Sequence, residues 1–128
     1  MELTIIPASW APKLQGAFRI MAGLLLLEHG TGKLLHFPAL PGIDQMPAGL
    51  LYATGLLELI GGALIVIGLF TRPVAFVLSG FMAVAYFMAH APAGVFPVLN
   101  HGELAVLYCF AFLYLAAAGP GSWAVYKA

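Results

Sequence analysis

The sequence predicts an all-α protein: an integral membrane bundle of four transmembrane helices with both termini cytoplasmic. Three observations predict it. The chain is 62% hydrophobic and only 8% charged, whereas a soluble domain carries about 25% charged residues. At 128 residues, a single domain has too much surface for its volume to hide that apolar excess from water. The apolar residues also fall into four runs separated by three breaks rich in proline, glycine or both, each run close to the ~20 residues that span a bilayer.

The first run covers residues 13–35 and ends at HFPALPGIDQMP, with Pro38, Pro41 and Pro47. The second covers 47–70. Thr71, Arg72 and Pro73 make a tight turn, with Thr71 suited to cap the next helix and Pro73 to its first turn. The third run covers 73–91 and stops at APAGVFP; the fourth covers 100–118 and stops at Gly119, Pro120 and Gly121. Asn100 and Glu103 have the spacing of an N-cap and its reciprocal carboxylate, with Leu99 and Leu104 as a hydrophobic staple. One domain, 1–128, accommodates all four runs. The opening MELTIIPASWAPK lacks the basic and short apolar regions of a cleavable signal, so the first run is expected to remain as a helix.

Basic residues set the expected orientation. Lys13, Arg72 and Lys127 fall on the side that holds both ends; Lys33 and Asp44 fall on the other. Trp10, Trp123 and Tyr126 fit an aromatic belt on the basic, cytoplasmic side. Gly16, Gly23 and Gly30 recur every seven residues, and Gly55 and Gly62 flank Glu58; small residues let membrane helices approach closely. Ser79, Ala83, Tyr86 and His90 form a comparable stripe on the third helix.

Five basic and five acidic residues cancel, so no strong field draws nucleic acid or an acidic substrate. Cys109 is the single cysteine, which excludes an internal disulfide and a CxxC redox pair. Walker loops, dinucleotide fingerprints and nucleophile triads are missing from the sequence.

The charges inside apolar runs carry the functional information, because a charge at mid-bilayer costs about 2.5–3.5 kcal/mol and needs an interior partner. Arg19 and Glu58 are expected to form a structural ion pair across the glycine faces of the first two helices. Glu28 lies half a turn from Arg19, nine residues at ~100° each, and needs other neighbours. Glu28, His29 and Lys33 on the first helix, His90 ending the third, and His101 and Glu103 opening the fourth all reach one outer level. With Glu58 they are the candidates for ligand binding or proton exchange.

A carboxylate and a histidine exchange protons near neutral pH, so a lipid quinone is the candidate cofactor, with Phe87, Phe96 and Tyr108 to flank its ring. His29, His90, His101 and Glu103 are of metal-ligating type but lack ligand spacing, and His29 with His90 as haem ligands would sit at helix ends; no metal is assigned.

The sequence resembles the DoxX family of small four-helix membrane proteins along nearly its whole length. The resemblance rests on Arg19, Gly23 and His29-Gly30-Thr31-Gly32-Lys33-Leu34; on Glu58-Leu59-Ile60-Gly61-Gly62 and Gly68-Leu69-Phe70-Thr71-Arg72; and on Asn100-His101-Gly102-Glu103 with Tyr108. The tail Gly119-Pro120-Gly121-Ser122-Trp123 fits as well, but an aspartate common after it is replaced here by Tyr126. The resemblance implies a multi-pass protein of the bacterial inner membrane and marks shared positions rather than catalytic roles. It implies a quinone-linked oxidoreductase subunit or a protein of quinone and thiol stress, working with a redox-enzyme partner; a homo-oligomer is the alternative assembly. The alternative is a non-enzymatic protein that binds a lipophilic ligand or assists assembly of a partner membrane protein. A small proton-linked pore would require an oligomer.

Overall fold

The structure is a computed structural model and describes residues 3–126. Those residues contain five α-helices and three 3-10 turns, with no strand among them. Helix α1 spans Ala11–Leu35, α2 Ala48–Ile67, α3 Thr71–Ala89, α4 Pro97–Asn100 and α5 Glu103–Ala118. Two stretches, Ala48–Ile67 and Thr71–Ala93, are long and apolar enough to cross a membrane; α5 is apolar but shorter. Helix α1 is the longest at 25 residues and is interrupted by Arg19, Glu28 and Lys33.

Backbone chemistry fixes the helix ends. Gly68 takes a left-handed conformation (φ 75°) and ends α2; the Gly68 and Leu69 N–H groups then both reach the Leu64 carbonyl, at 2.9 and 3.0 Å. Phe70 is left-handed too and occupies the cap position of α3. Thr71, expected as that cap, is instead the first helical residue, fully buried with its hydroxyl unbonded.

The fourth run differs more. Pro97 starts a separate turn, His101 adopts a left-handed φ of 63°, and α5 begins only at Glu103. The expected cap of Asn100 with Glu103 does not form. Asn100 accepts a hydrogen bond from Gly102 N–H at 2.9 Å and donates to Tyr86 Oη (3.0 Å) and Gly94 O (2.9 Å). Its side chain is held by its own loop and by α3, so it does not serve the first turn of α5.

Helix α1 packs along α2, and α3 along α5; contact between the two pairs is sparser. Gly30 and Gly62 explain the tightness of the first pair. A Cβ on Gly30 would fall 2.5 Å from Leu59 N, and one on Gly62 would fall 2.9 Å from the backbone of Leu27. The second pair is tied by Ser79 Oγ, which donates to the Cys109 carbonyl at 2.7 Å. Leu26, Ile65, Leu78, Met82, Phe112 and Leu115 form the core between the pairs. Outside, Phe76, Leu107 and Phe110 are among many large apolar side chains more than 60% exposed, an apolar surface far beyond what water tolerates on a monomer.

The segment after α5 lies across the ends of α1 and α2. Ser122 N–H donates to Pro12 O, Val125 N–H to Ile67 O and Tyr126 N–H to Gly68 O. Gly16, the first of the glycines spaced by seven, faces this tail, with Ser122 O against the place of its missing Cβ. The start of α1 and the tail therefore meet at one end of the molecule, called the tail end here. Of the residues that set the expected orientation, Lys127 lies outside the described residues.

Candidate functional site

At the end away from the tail, the two helix pairs part around a cavity of about 540 Å³, within the range of small-molecule sites. All four longer helices line it. Helix α1 contributes His29 and Lys33, α2 contributes Thr54 and Glu58, α3 contributes Phe81, and Tyr108 comes from α5. His90 and His101, at the mouth, come from the segments just after α3 and just before α5.

The centre of the polar patch is an ion pair. Lys33 Nζ lies 2.7 Å from Glu58 Oε1, and both side chains are largely buried. The ammonium also donates to Thr54 Oγ1 at 3.0 Å, and Thr54 Oγ1 donates to Leu50 O at 2.7 Å. Glu58 Oε1 has charge contact with Lys33 but no aligned hydrogen bond. A carboxylate has about four acceptor sites, so Glu58 keeps accepting capacity at the cavity wall.

His90 Nδ1 sits 3.1 Å from the Asn100 carbonyl. A carbonyl oxygen only accepts, so Nδ1 carries the proton and a neutral ring keeps its lone pair on Nε2. The His90 ring stacks near Tyr86, which in turn accepts from Asn100. Tyr108 is buried and stacked on Phe112, centroids 5.6 Å apart.

Of the candidates for ligand binding or proton exchange, the structure brings His29, Lys33, Glu58, His90 and His101 to the cavity. It does not bring Glu28 or Glu103. Glu28 is exposed on another face of α1, because 28 and 33 differ by five residues and hence ~140° around the helix. Glu103 is exposed and lines a shallow external groove with Pro97 and Phe110. Phe87 and Phe96 are also exposed; Phe81 is the phenylalanine at the cavity. Among the described residues, no group of three or more His, Cys, Asp or Glu side chains converges as a metal site.

The expected pair of Arg19 with Glu58 is corrected. Arg19 is fully buried at the tail end, and all its bonds go to backbone carbonyls. Its Nε donates to Ile65 O (2.9 Å), one terminal nitrogen to Pro120 O and Ser122 O, and the other to Val66 O and Trp123 O. Carbonyls at the C-terminal end of α2 carry partial negative charge, so the guanidinium has a counter-field without a carboxylate. Glu58 takes Lys33 in its place.

Thr54 was outside the sequence-derived set. Its signal was available, since it lies four residues before Glu58 and therefore on the same face of α2. Asn100 carried a signal too, but for a cap.

The DoxX family profile matches residues 14–91. A protein of Haemophilus influenzae, described as an uncharacterized protein, is 38% identical over 121 residues, covering 91% of this chain and 90% of the relative. No solved structure gives a significant match.

Proposed function

The chain belongs to the DoxX family, which is membrane-associated, and on that premise we propose that it is a quinone-binding protein of the bacterial inner membrane, acting as a subunit of a quinone-linked redox system. The four longer helices span the bilayer as one bundle. The tail end carries Lys13 and Arg72, with Trp10 beneath Lys13 at 4.9 Å, and faces the cytoplasm by the positive-inside rule. The cavity then opens in the outer half of the membrane.

The observation that carries this reading is the Lys33–Glu58 pair in a chamber walled mainly by apolar side chains, with His90 and His101 at its mouth. A quinone presents carbonyl acceptors, and its quinol presents hydroxyl donors. Lys33 donates to the first and Glu58 accepts from the second. His90, which lines the cavity beside His101, passes protons to water. Reduction takes up two electrons and two protons; a partner redox enzyme supplies the electrons, and the cavity residues supply the proton route.

The test is direct. The protein is extracted in native nanodiscs and its bound lipids are analysed by mass spectrometry, beside a titration with a tail-less benzoquinone. Co-purified quinone in the parent protein, lost in Lys33→Met/Glu58→Gln, supports the reading. Equal quinone content in both proteins refutes it.

A second reading has its own observation. Glu28 is exposed on the apolar flank of α1 with no hydrogen bond or ion pair from its carboxylate among the described residues. A carboxylate at that depth favours a neighbouring helix bearing a donor, as a partner-assembly protein would use. Glu28→Leu would then lower the abundance of that partner in the membrane while leaving quinone content unchanged.

A further inference from the structure

A further concavity lies on the lipid-facing side, along the seam between α2 and α3. It has a volume of about 480 Å³, and every residue lining it is apolar. Leu57 and Val74 form its floor, packed against the core. Ile60 and Val77 stand exposed on its rims. From Ala53 to Leu64 it runs eleven residues along α2, roughly 16 Å at the helical rise.

The groove and the cavity share this seam. Ala53 and Leu57 of the groove are next in sequence to Thr54 and Glu58 of the cavity, and Leu78 precedes Phe81 by one turn. The cavity is open on the same side, because its lining residues Leu50, Val84 and Met88 are all exposed. A ring compound arriving from the lipid would reach the cavity between α2 and α3, and any chain attached to it would leave through that opening onto the groove.

We propose that the α2–α3 groove is the subsite for the chain of the ligand, so that the protein takes a long-chain, membrane-resident ring compound with its head in the cavity and its chain along the seam. The inference rests on the reading of the cavity as a ring site. Its physical content lies in the tether. Lipid tails are as apolar as leucine, so a free acyl chain gains little by moving from bilayer to groove. A chain tied to a head already bound is held at high local concentration and fills the groove without any new driving force. Occupancy of the groove therefore depends on occupancy of the cavity.

Photolabelling in nanodiscs tests this dependence. One probe is a benzoquinone with a prenyl-type chain bearing a diazirine; the control is a phosphatidylcholine with the diazirine in its acyl chain. The quinone probe should label Ile60 and Val77 about tenfold more than Phe76, Leu107 or Phe110, well within the gain a tethered contact provides. That labelling should disappear with excess tail-less benzoquinone and in Val77→Trp, which fills the groove from its exposed rim. The phospholipid probe should label the whole apolar surface evenly. If tail-less benzoquinone binds by titration but the quinone probe labels evenly, the groove inference is overturned and the ring site stands. If tail-less benzoquinone does not bind, both fall.

Discussion

Replacing Lys33 with methionine removes the one ion pair that Glu58 makes among the described residues and keeps most of the apolar stem of the side chain. Glu58 is 5% exposed, and its Oε1 has no aligned hydrogen bond to fall back on. Breaking a buried pair from one side typically costs 3–5 kcal/mol, because the remaining charge is left without compensation. Lys33 retains 13% side-chain exposure, which places the expected cost near the lower figure, about 3 kcal/mol, or roughly two decades in the unfolding constant. Glu58→Gln should cost less, since a neutral amide is cheaper to bury than an unpaired carboxylate and the ammonium keeps Thr54. The double change Lys33→Met/Glu58→Gln removes both charges and should recover all but about 1 kcal/mol of the Lys33→Met loss. Reversible unfolding of the four proteins in nanodiscs or mild detergent closes the cycle. Strict additivity of the two single changes would refute the pair as the organising contact of the cavity.

Arg19→Met should be more damaging than Lys33→Met, because five carbonyl acceptors lose their donor together. Hydrogen exchange at Ser122 and Val125, whose N–H groups bond to Pro12 and Ile67, should rise well before global unfolding. Gly30→Ala places a methyl against the backbone of Leu59 and should cost about 1–3 kcal/mol as overpacking, whereas Gly80→Ala, which meets nothing within 4 Å, should be neutral or stabilising by the same unfolding assay. Asn100→Ala leaves Tyr86 and Gly94 without their donor and should cost about 1–3 kcal/mol; faster cleavage of the loop before α5 by an added protease would register it.

What the sequence made legible was depth. Lys33, His90 and His101 could be placed at one level by counting residues along helices, and the cavity contains all three; Glu58, counted to mid-helix and paired with Arg19, joins them there. What it concealed was azimuth and backbone. Glu28 shares the level but points elsewhere, and five residues of helical rotation separate it from Lys33. Phe87 misses the cavity for the same reason, while Phe81, at cavity depth on α3, reaches it. Arg19 was assigned a carboxylate because carboxylates are visible in a sequence. The carbonyls of Pro120, Ser122 and Trp123 are identical in every residue and announce nothing. Asn100 fitted a cap by spacing alone, and only the fold reveals that Tyr86 and Gly94 claim its amide first. The tight approach of α1 to α2 was readable from Gly23 and Gly30, but the first member of that series, Gly16, serves the tail.

The bonds of Arg19 also set an order on the making of the protein. Three of its five acceptors belong to residues 120–123, which leave the ribosome about a hundred residues after Arg19 itself. Under the proposed topology, α1 enters the bilayer carrying a guanidinium whose partners do not yet exist. The tail thus completes the seating of the first helix, and a truncation before Pro120 would leave the four longer helices present with Arg19 short of three of its five acceptors.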